Sequence, residues 1–163
     1  MKTKKCLVQM LGAGMIVVCL MTGCANLMVA IYDNDIKIAS STNSYSLSNY
    51  EQTADDGHFT ASVEKMEGMD TIWVFDAEED KSLEITYIIN VSSGKMKLVL
   101  INPKGDVSII AECDTEMSEP IQSTLNIESG NNRIKIVAGA NTKFDIDISI
   151  QEGEFKELWQ ILE

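Results

Sequence analysis

The sequence has little positive charge, little proline and little histidine. It carries 13 Lys and Arg against 25 Asp and Glu, and the formal net charge is −12. Proteins that bind nucleic acids gain much of their affinity by neutralising phosphates with Lys and Arg, so the composition argues against such a partner. With 45% hydrophobic residues, two prolines and ten glycines, the chain is neither collagen-like nor largely disordered.

Motifs for catalysis and for zinc are also missing. His58 is the single histidine, so any Ser-His-Asp arrangement would have to use it, and the sequence has no G-x-S-x-G turn. It has neither a C-x-x-C pair nor an H-E-x-x-H helix, which are the usual zinc patterns. We therefore expect a noncatalytic protein, with His58 at a surface position where a strand begins.

The N-terminus has the pattern of an export signal. Lys2, Lys4 and Lys5 are followed by residues 6–32, which carry no charge. Within this run, Met21-Thr22-Gly23-Cys24 resembles the lipobox of bacterial lipoproteins. The resemblance implies that residues 1–23 are a signal peptide and that Cys24 is lipidated. The protein would then be anchored to the cell membrane, facing outside the cytoplasm.

A second interpretation of this segment stays open. The 27 uncharged residues are also long enough to span a bilayer as an uncleaved helix, which takes about 20 residues. Both interpretations place the rest of the chain outside the cytoplasm. Since Cys6, Cys19 and Cys24 belong to the N-terminal segment, Cys113 alone remains, and no disulfide within the exported domain is expected. Cys113 falls at an alternating strand position, which predicts a buried, unreactive thiol.

Residues 24–56 are interpreted as the lipidated cysteine followed by a flexible tether. The stretch from Ala39 to Tyr50 is rich in Ser and Asn and has no sustained period, as is typical of spacers. Ile36 and Ile38 alternate with Lys37, which allows one short strand.

From residue 57 to residue 150, apolar residues recur with a period of two. The clearest case is Phe144–Ile150, where one face is apolar and the other carries Asp145, Asp147 and Ser149. Turn sequences such as Asn102–Gly105 and Ser129–Asn132 separate about eight such segments. The pattern predicts an all-β domain, an antiparallel β-sandwich or jelly roll.

The last segment, residues 151–163, changes period. Apolar residues at positions 155, 158, 159 and 162 fall on one helical stripe, which predicts a short amphipathic helix. Such a helix would cover an edge of the sandwich or dock to a partner.

Residues 69–150 resemble the bacterial pre-peptidase C-terminal domain and related jelly-roll modules. The features that carry the resemblance are the strand Asp70–Phe75, the segment Leu83–Ile85, the strand and turn Lys97–Gly105, Gly130–Ile136 and the closing strand Phe144–Ile150. The resemblance implies a noncatalytic accessory domain of secreted proteins, although this chain has no room for an attached peptidase.

Three sets of residues are candidates for ligand contacts. Trp73, Tyr87 and Trp159 are the aromatics that could stack on a sugar, although Trp73 shares its face with Phe75 and is more typical of a core residue. Acidic clusters offer oxygens for calcium, or are solvated loops, at Asp33–Asp35, Asp55–Asp56 and Asp76–Asp80. By parity, four cations face outward and either form a small basic patch or keep the sheet faces soluble, namely Lys95, Lys97, Arg133 and Lys135.

These observations predict a noncatalytic, membrane-tethered lipoprotein that serves as a binding or interaction module. Its partner would be an envelope protein or a polysaccharide. The alternative is a carbohydrate-binding module that uses Trp73 or Trp159 together with a structural calcium ion.

Overall fold

Strands account for most of the chain. The computed structural model describes residues 30–114, 116–117 and 119–159. Residues 30–32 are helical, and the elements that follow are one short helix and eight strands: α1 (Asp35–Ala39), β1 (Ser44–Asp55), β2 (His58–Ala77), β3 (Lys81–Ser93), β4 (Met96–Ile101), β5 (Val107–Cys113), β6 (Ile121–Ile127), β7 (Gly130–Ile150) and β8 (Glu154–Phe155). Every strand pair is antiparallel, so the predicted all-β antiparallel class is confirmed.

The two longest strands, β2 and β7, pair with each other along both halves and join two layers. Phe59 at the start of β2 lies opposite Ile148, and Phe75 near its end lies opposite Asn132. The first sheet contains the early half of β2, the late half of β7, the late half of β1, β3 and β6. The second sheet contains the other halves of β1, β2 and β7 together with β4, β5 and β8. Register shifts between residues 63 and 68 mark the bend of β2, because strands change sheets at bulges.

Gly68 shows how tightly the chain is packed at that bend. Its φ is +99°, and a Cβ atom built there would lie 2.1 Å from the carbonyl oxygen of Ser44. Any other residue would therefore push β1 away from β2.

The core lies between the two sheets. Phe144, Ile146, Ile148 and Ile150 are buried, while Asp145 and Asp147 between them are exposed, as the alternation predicts. Each such side chain contributes about 1.5–3 kcal/mol when it is fully removed from water.

A second, smaller core forms on the outer face of the second sheet. Residues 31–43, which we call the strap, lie across this face. Buried Tyr32 and Ile38 of the strap belong to one hydrophobic cluster with Met69, Val99 and Val137 of the sheet. The tether interpretation of residues 24–56 is therefore wrong for the described part. The Ser-rich stretch pairs with β2 as β1, and the strap covers a sheet whose strands are apolar on both faces.

Basic side chains hold the strap as well. The Lys135 ammonium donates to the carbonyl oxygens of Ser40 at 2.8 Å and Thr42 at 2.9 Å, and Arg133 donates to Ala39 O at 2.9 Å. Burial, and secondarily the charge of Arg133, lower the pKa of Lys135 to about 8, although Asp70 opposes the shift.

The ring of Tyr32 packs between two further lysines. The Nζ atoms of Lys95 and Lys97 lie 4.0 and 4.8 Å from its centroid, and its hydroxyl donates to Glu112 at 2.9 Å. The sequence predicted that the cations of this face, Lys95, Lys97, Arg133 and Lys135, point into solvent. The prediction is wrong for Lys97 and Lys135. Both are buried, because the strap closes over the face they project from.

The C-terminal segment closes the end of the sandwich without forming a helix in its described part. Residues 151–159 contain β8, which pairs with Trp73 and Val74, and a turn at Leu158. Phe155 and Leu158 are buried in the main core. The prediction of a helix over these residues is wrong, because a strand and a turn bury the same apolar side chains that a helix was expected to bury. Residues 160–163 lie outside the described part.

Asp70 ties this segment to the second sheet. Its buried carboxylate accepts hydrogen bonds from the backbone N–H groups of Thr71 at 2.9 Å and Trp159 at 2.8 Å. Burial raises the pKa of Asp70 to about 6, and the two N–H donors and Lys135 limit the rise.

We predict that Ile38→Ala lowers the free energy of unfolding by about 2–4 kcal/mol, as expected for a buried isoleucine truncated to alanine. Ile36→Ala is the matched control, because Ile36 lies on the same helix but is 87% exposed, against 0% for Ile38. Urea unfolding of both variants measures the difference. Equal, negligible effects would mean that the strap does not pack on the sheet.

We also predict that Asp70→Asn flattens the pH dependence of stability between pH 4 and 7. The folded-state pKa of about 6 exceeds the ordinary value of 3.8, so the folded protein binds the proton more tightly. The stabilisation due to Asp70 is then complete below about pH 4 and lost as the pH rises through 6. Unfolding free energies measured across this range should rise on acidification more in the wild type than in the variant. Parallel profiles would contradict the assignment.

Candidate functional site

A groove of about 520 Å³ lies on the outer face of the first sheet, on the side of the sandwich opposite the strap. Four neighbouring strands, β1, β2, β7 and β3, supply its walls. Its lining residues include no aromatic residue, lysine or arginine, and consist of Glu51, Gln52, Thr53, Thr60, Ala61, Ser62, Ile88, Asn90, Asp145, Ile146 and Asp147.

Strand register explains why these polar groups come together. Ser62 lies opposite Glu51 on one side and Asp145 on the other, and Asp145 lies opposite Asn90. These four side chains form one row across the sheet. Strands are spaced by about 4.8 Å, so the row spans roughly 15 Å.

A second row lies beside the first. Thr53 is opposite Thr60, Thr60 is opposite Asp147, and Asp147 is opposite Ile88. Residues of one strand that are two positions apart share a face, so both rows project to the same side of the sheet. The groove thus presents hydroxyl, amide and carboxylate groups in a regular array.

The groove is electrostatically negative. Three carboxylates, those of Glu51, Asp145 and Asp147, line it without a lining lysine or arginine. The one positively chargeable group bonded to them in the described residues is His58, whose Nε2 atom lies 2.9 Å from Asp147 Oδ1. An array of this charge favours neutral or cationic ligands and repels anions.

His58 is half-buried at the rim of this groove. The sequence placed it at the start of a strand, and the structure shows it as the first residue of β2. Its contact with Asp147 orients the ring toward the groove carboxylates.

Trp73 is a core residue and cannot stack on a ligand. Its side chain is 0% exposed, and its indole N–H donates to the carbonyl oxygen of Glu152 at 3.0 Å. The rings of Trp73 and Phe75 lie 5.8 Å apart. Tyr87, the other strand aromatic considered, is also buried. The prediction that Trp73 contacts a ligand is therefore wrong. Its side chain faces the interior of the sandwich and has a structural role.

Trp159, in contrast, is 67% exposed. Its backbone is held by Asp70 and has a φ of +75°, a left-handed conformation that a tryptophan rarely adopts. The preceding residue, Leu158, exchanges two hydrogen bonds with the side chain of Gln52, at 2.7 and 3.2 Å. Because Gln52 also belongs to the wall of the groove, the C-terminal turn lies against the groove-forming strand β1.

The acidic clusters do not form a metal centre in the described residues. Within residues 30–114, 116–117 and 119–159, no group of three or more His, Cys, Asp and Glu side chains is arranged to hold an ion. Asn34 instead caps helix α1 by accepting from Lys37 N, and Asp80 accepts from Ser129 N at 2.8 Å.

The structure describes one of the two cysteines that the sequence analysis considered, Cys113. Cys113 is buried, and burial, followed by the nearby Asp114 and Glu112 charges, raises the pKa of its thiol, which disfavours the reactive thiolate. Cys24 lies outside the described residues. In the described part of the chain, no helix has the length and apolar character needed to cross a bilayer.

None of the groove-lining residues was predicted from the sequence to contact a ligand. Glu51 and Thr53 fall in the segment assigned as a tether, so they were not considered as ligand contacts. The alternation of Tyr50, Gln52 and Ala54 with Glu51, Thr53 and Asp55 was the available signal, because it has the period of a strand.

No protein-family model matches the sequence, and a comparison with curated proteins gave no match. Several solved structures are similar in fold. A carbohydrate-binding module of Cellvibrio mixtus lichenase 5A, in complex with cellotriose, has 16% identity and a TM-score of 0.39, with 71% of this chain and 92% of that chain covered.

Two further similar structures are also carbohydrate-binding modules. A family 35 module from an environmental isolate has 16% identity and a TM-score of 0.38, covering 71% of this chain and 88% of its own. A mutant of the family 29 module CBM29-2 has 11% identity and a TM-score of 0.35, covering 68% and 87%. Each TM-score is below 0.5, so these similarities assign neither a family nor a ligand to this chain.

Proposed function

We propose that this protein is a noncatalytic binding module, anchored outside the cytoplasm through a lipid on Cys24, that takes a neutral or amino-bearing saccharide in its groove. The observation that carries the proposal is the groove itself, in which two rows of hydrogen-bonding side chains cross four strands.

The chemistry of the lining fits a polyhydroxylated ligand. Carboxylates accept hydrogen bonds from sugar hydroxyls, and hydrogen bonds that involve a charged group contribute about 1.5–3 kcal/mol each. Asn90, Thr60 and Ser62 supply groups that both donate and accept. With no aromatic residue in the lining, the groove would select its ligand by hydrogen bonds.

The charge of the groove sets the expected selectivity. Glu51, Asp145 and Asp147 disfavour saccharides that carry carboxylate or phosphate groups, since like charges would meet in the binding site. Amino groups of a hexosamine would instead meet these carboxylates as ion pairs.

The anchor is supported by the N-terminal sequence. Lysines, an uncharged run and the motif Met21–Cys24 occur in the order expected of a lipoprotein precursor. One acyl chain gives only marginal membrane binding and two or more give stable binding, so lipidation of Cys24 would keep the domain at the membrane after the signal is removed.

We predict that the detergent-solubilised full chain binds oligomers of glucose or glucosamine more tightly than galacturonic acid oligomers of the same length. Asp145→Ala should weaken the binding about tenfold or more, because it removes a charged acceptor from the centre of a row. Isothermal titration calorimetry gives both affinities. Glu84→Ala is the matched control, since Glu84 is an exposed carboxylate of the same sheet outside the groove.

Two results would contradict this assignment. One is saccharide binding that is unchanged in Asp145→Ala but lost in Trp159→Ala. This result would place the binding site at the C-terminal turn. The other is an absence of saccharide binding in a chain that captures an envelope protein through the groove.

We further predict that Cys24→Ser prevents incorporation of labelled palmitate, because the proposed lipid is attached to this thiol. The matched control is Cys19→Ser, which lies in the same segment but outside the motif. Palmitate labelling of cells that express each variant measures the outcome. A wild-type chain that takes up no palmitate yet stays in the membrane fraction would favour the uncleaved helix instead.

A further inference from the structure

Strand β6 is an edge without the usual protection against pairing. It pairs with β3 alone among the described strands, over seven consecutive residues without a register shift. Its residues, Ile121–Ile127, carry no charge in a chain of which 23% is charged. The first four are exposed, including Ile121 at 42%. Natural edge strands normally carry charges, bulges or a cover that prevents pairing with another strand.

The other edge strands in the described part of the chain, β1, β5 and the two-residue β8, differ from β6. Strand β1 carries the charged residues Glu51 and Asp55, and its Gln52 side chain is bonded to Leu158 of the C-terminal turn. Strand β5 contains Glu112, and its pairing with β4 has a register shift between Leu98 and Val99. A cavity of about 220 Å³ lies between β5 and β6, lined by both strands and by Leu100. Space is therefore open beside the regular, uncharged edge.

The sequence of β6 complements itself. In an antiparallel pair centred on Thr124, Ile121 faces Ile127, Gln122 faces Asn126, Ser123 faces Leu125 and the two Thr124 residues face each other. Two copies with a net charge of −12 each repel as whole molecules, so a contact between them must avoid opposing carboxylates. On the neighbouring strand, Glu84 lies opposite Thr124 and accepts a hydrogen bond from Gln122 of its own chain at 3.3 Å.

We propose that two copies of this chain join through their β6 edges, as an antiparallel pair centred on Thr124. Backbone N–H and C=O groups at the free edge would then bond across the two-fold axis. The first sheets of the two copies become one continuous sheet, and the grooves lie on it side by side. The partner at this edge is a second copy of the chain, because every pair of residues that face each other between the two β6 strands is uncharged. The chain as a whole is strongly acidic.

Cysteine cross-linking in membranes from cells that express the full chain tests the register. In the proposed pair, two Thr124→Cys residues face each other with Cα atoms about 4.5–5.5 Å apart, within the range of a disulfide. Gln122→Cys is the matched control. Its two copies would lie about 14 Å apart along the strands, too far for a disulfide. Oxidation should give a dimer on a non-reducing gel for Thr124→Cys, but neither for Gln122→Cys nor for the wild type.

Sedimentation of the detergent-solubilised full chain tests the interface independently. Thr124→Lys places two ammonium groups opposite each other and should raise the dimer dissociation constant at least tenfold. Thr86→Lys adds the same charge on β3, which is paired on both sides, and should leave the dimer intact. Circular dichroism of both variants verifies the fold.

Three results would overturn the proposal. The first is a wild-type chain that stays monomeric at all concentrations. The second is a dimer that survives Thr124→Lys, and the third is equal cross-linking of the two cysteine variants. Groove binding by the monomer would be unaffected by any of them, because no β6 residue lines the groove.

Discussion

Pairing between β2 and β7 is the constraint on which the rest of this structure depends. Each strand is about 20 residues long, bends in its middle and contributes one half to each sheet. The remaining strands attach on either side, β3 and β6 in the first sheet and β4 and β5 in the second. A change at the bend, such as a side chain at Gly68, would therefore disturb both layers at once.

The two sheets differ in what their outer faces require. In the second sheet, Val99 and Val137 point outward and would be exposed without the strap, so the chain folds back over them. In the first sheet, the outward positions of the groove rows are polar except Ile88, and they need no cover. This difference leaves one face of the sandwich closed by the protein itself and the other free to receive a ligand, and it follows from the residues at alternate strand positions.

The alternation of apolar and polar residues correctly predicted which side chains of the clearest strand are buried and which are exposed. The strand Phe144–Ile150 has one buried and one exposed face, as its pattern requires. Local composition was less informative. Ser-rich β1 resembles a spacer in composition, yet it forms a hairpin with β2 across the two-residue turn Asp56-Gly57. That turn and the alternation of residues 50–55 were local signals of a strand, and the Ser-rich composition obscured them.

The assignment of outward cations failed for a related reason. Parity correctly placed Lys97 and Lys135 on the outer face, but parity cannot show that a distant segment covers that face. Likewise, residues 155 and 158 were correctly expected to be apolar contacts, and only their conformation was wrong. The groove could be predicted in part, through Asp145 and Asp147, but its four-strand width depends on a strand order that no local pattern encodes.

The strap also bears on how the domain would be oriented in the cell. From Cys24 to Ile31, the first buried strap residue, there are seven peptide units, which reach at most about 25 Å when fully extended. With the proposed lipid on Cys24, the strap-covered face would be held close to the lipid headgroups, and the opposite face would be turned to the surroundings. A binding module built in this way would not need a long stalk to display its binding surface, because the strap, which begins only seven residues after Cys24, is itself part of the folded body.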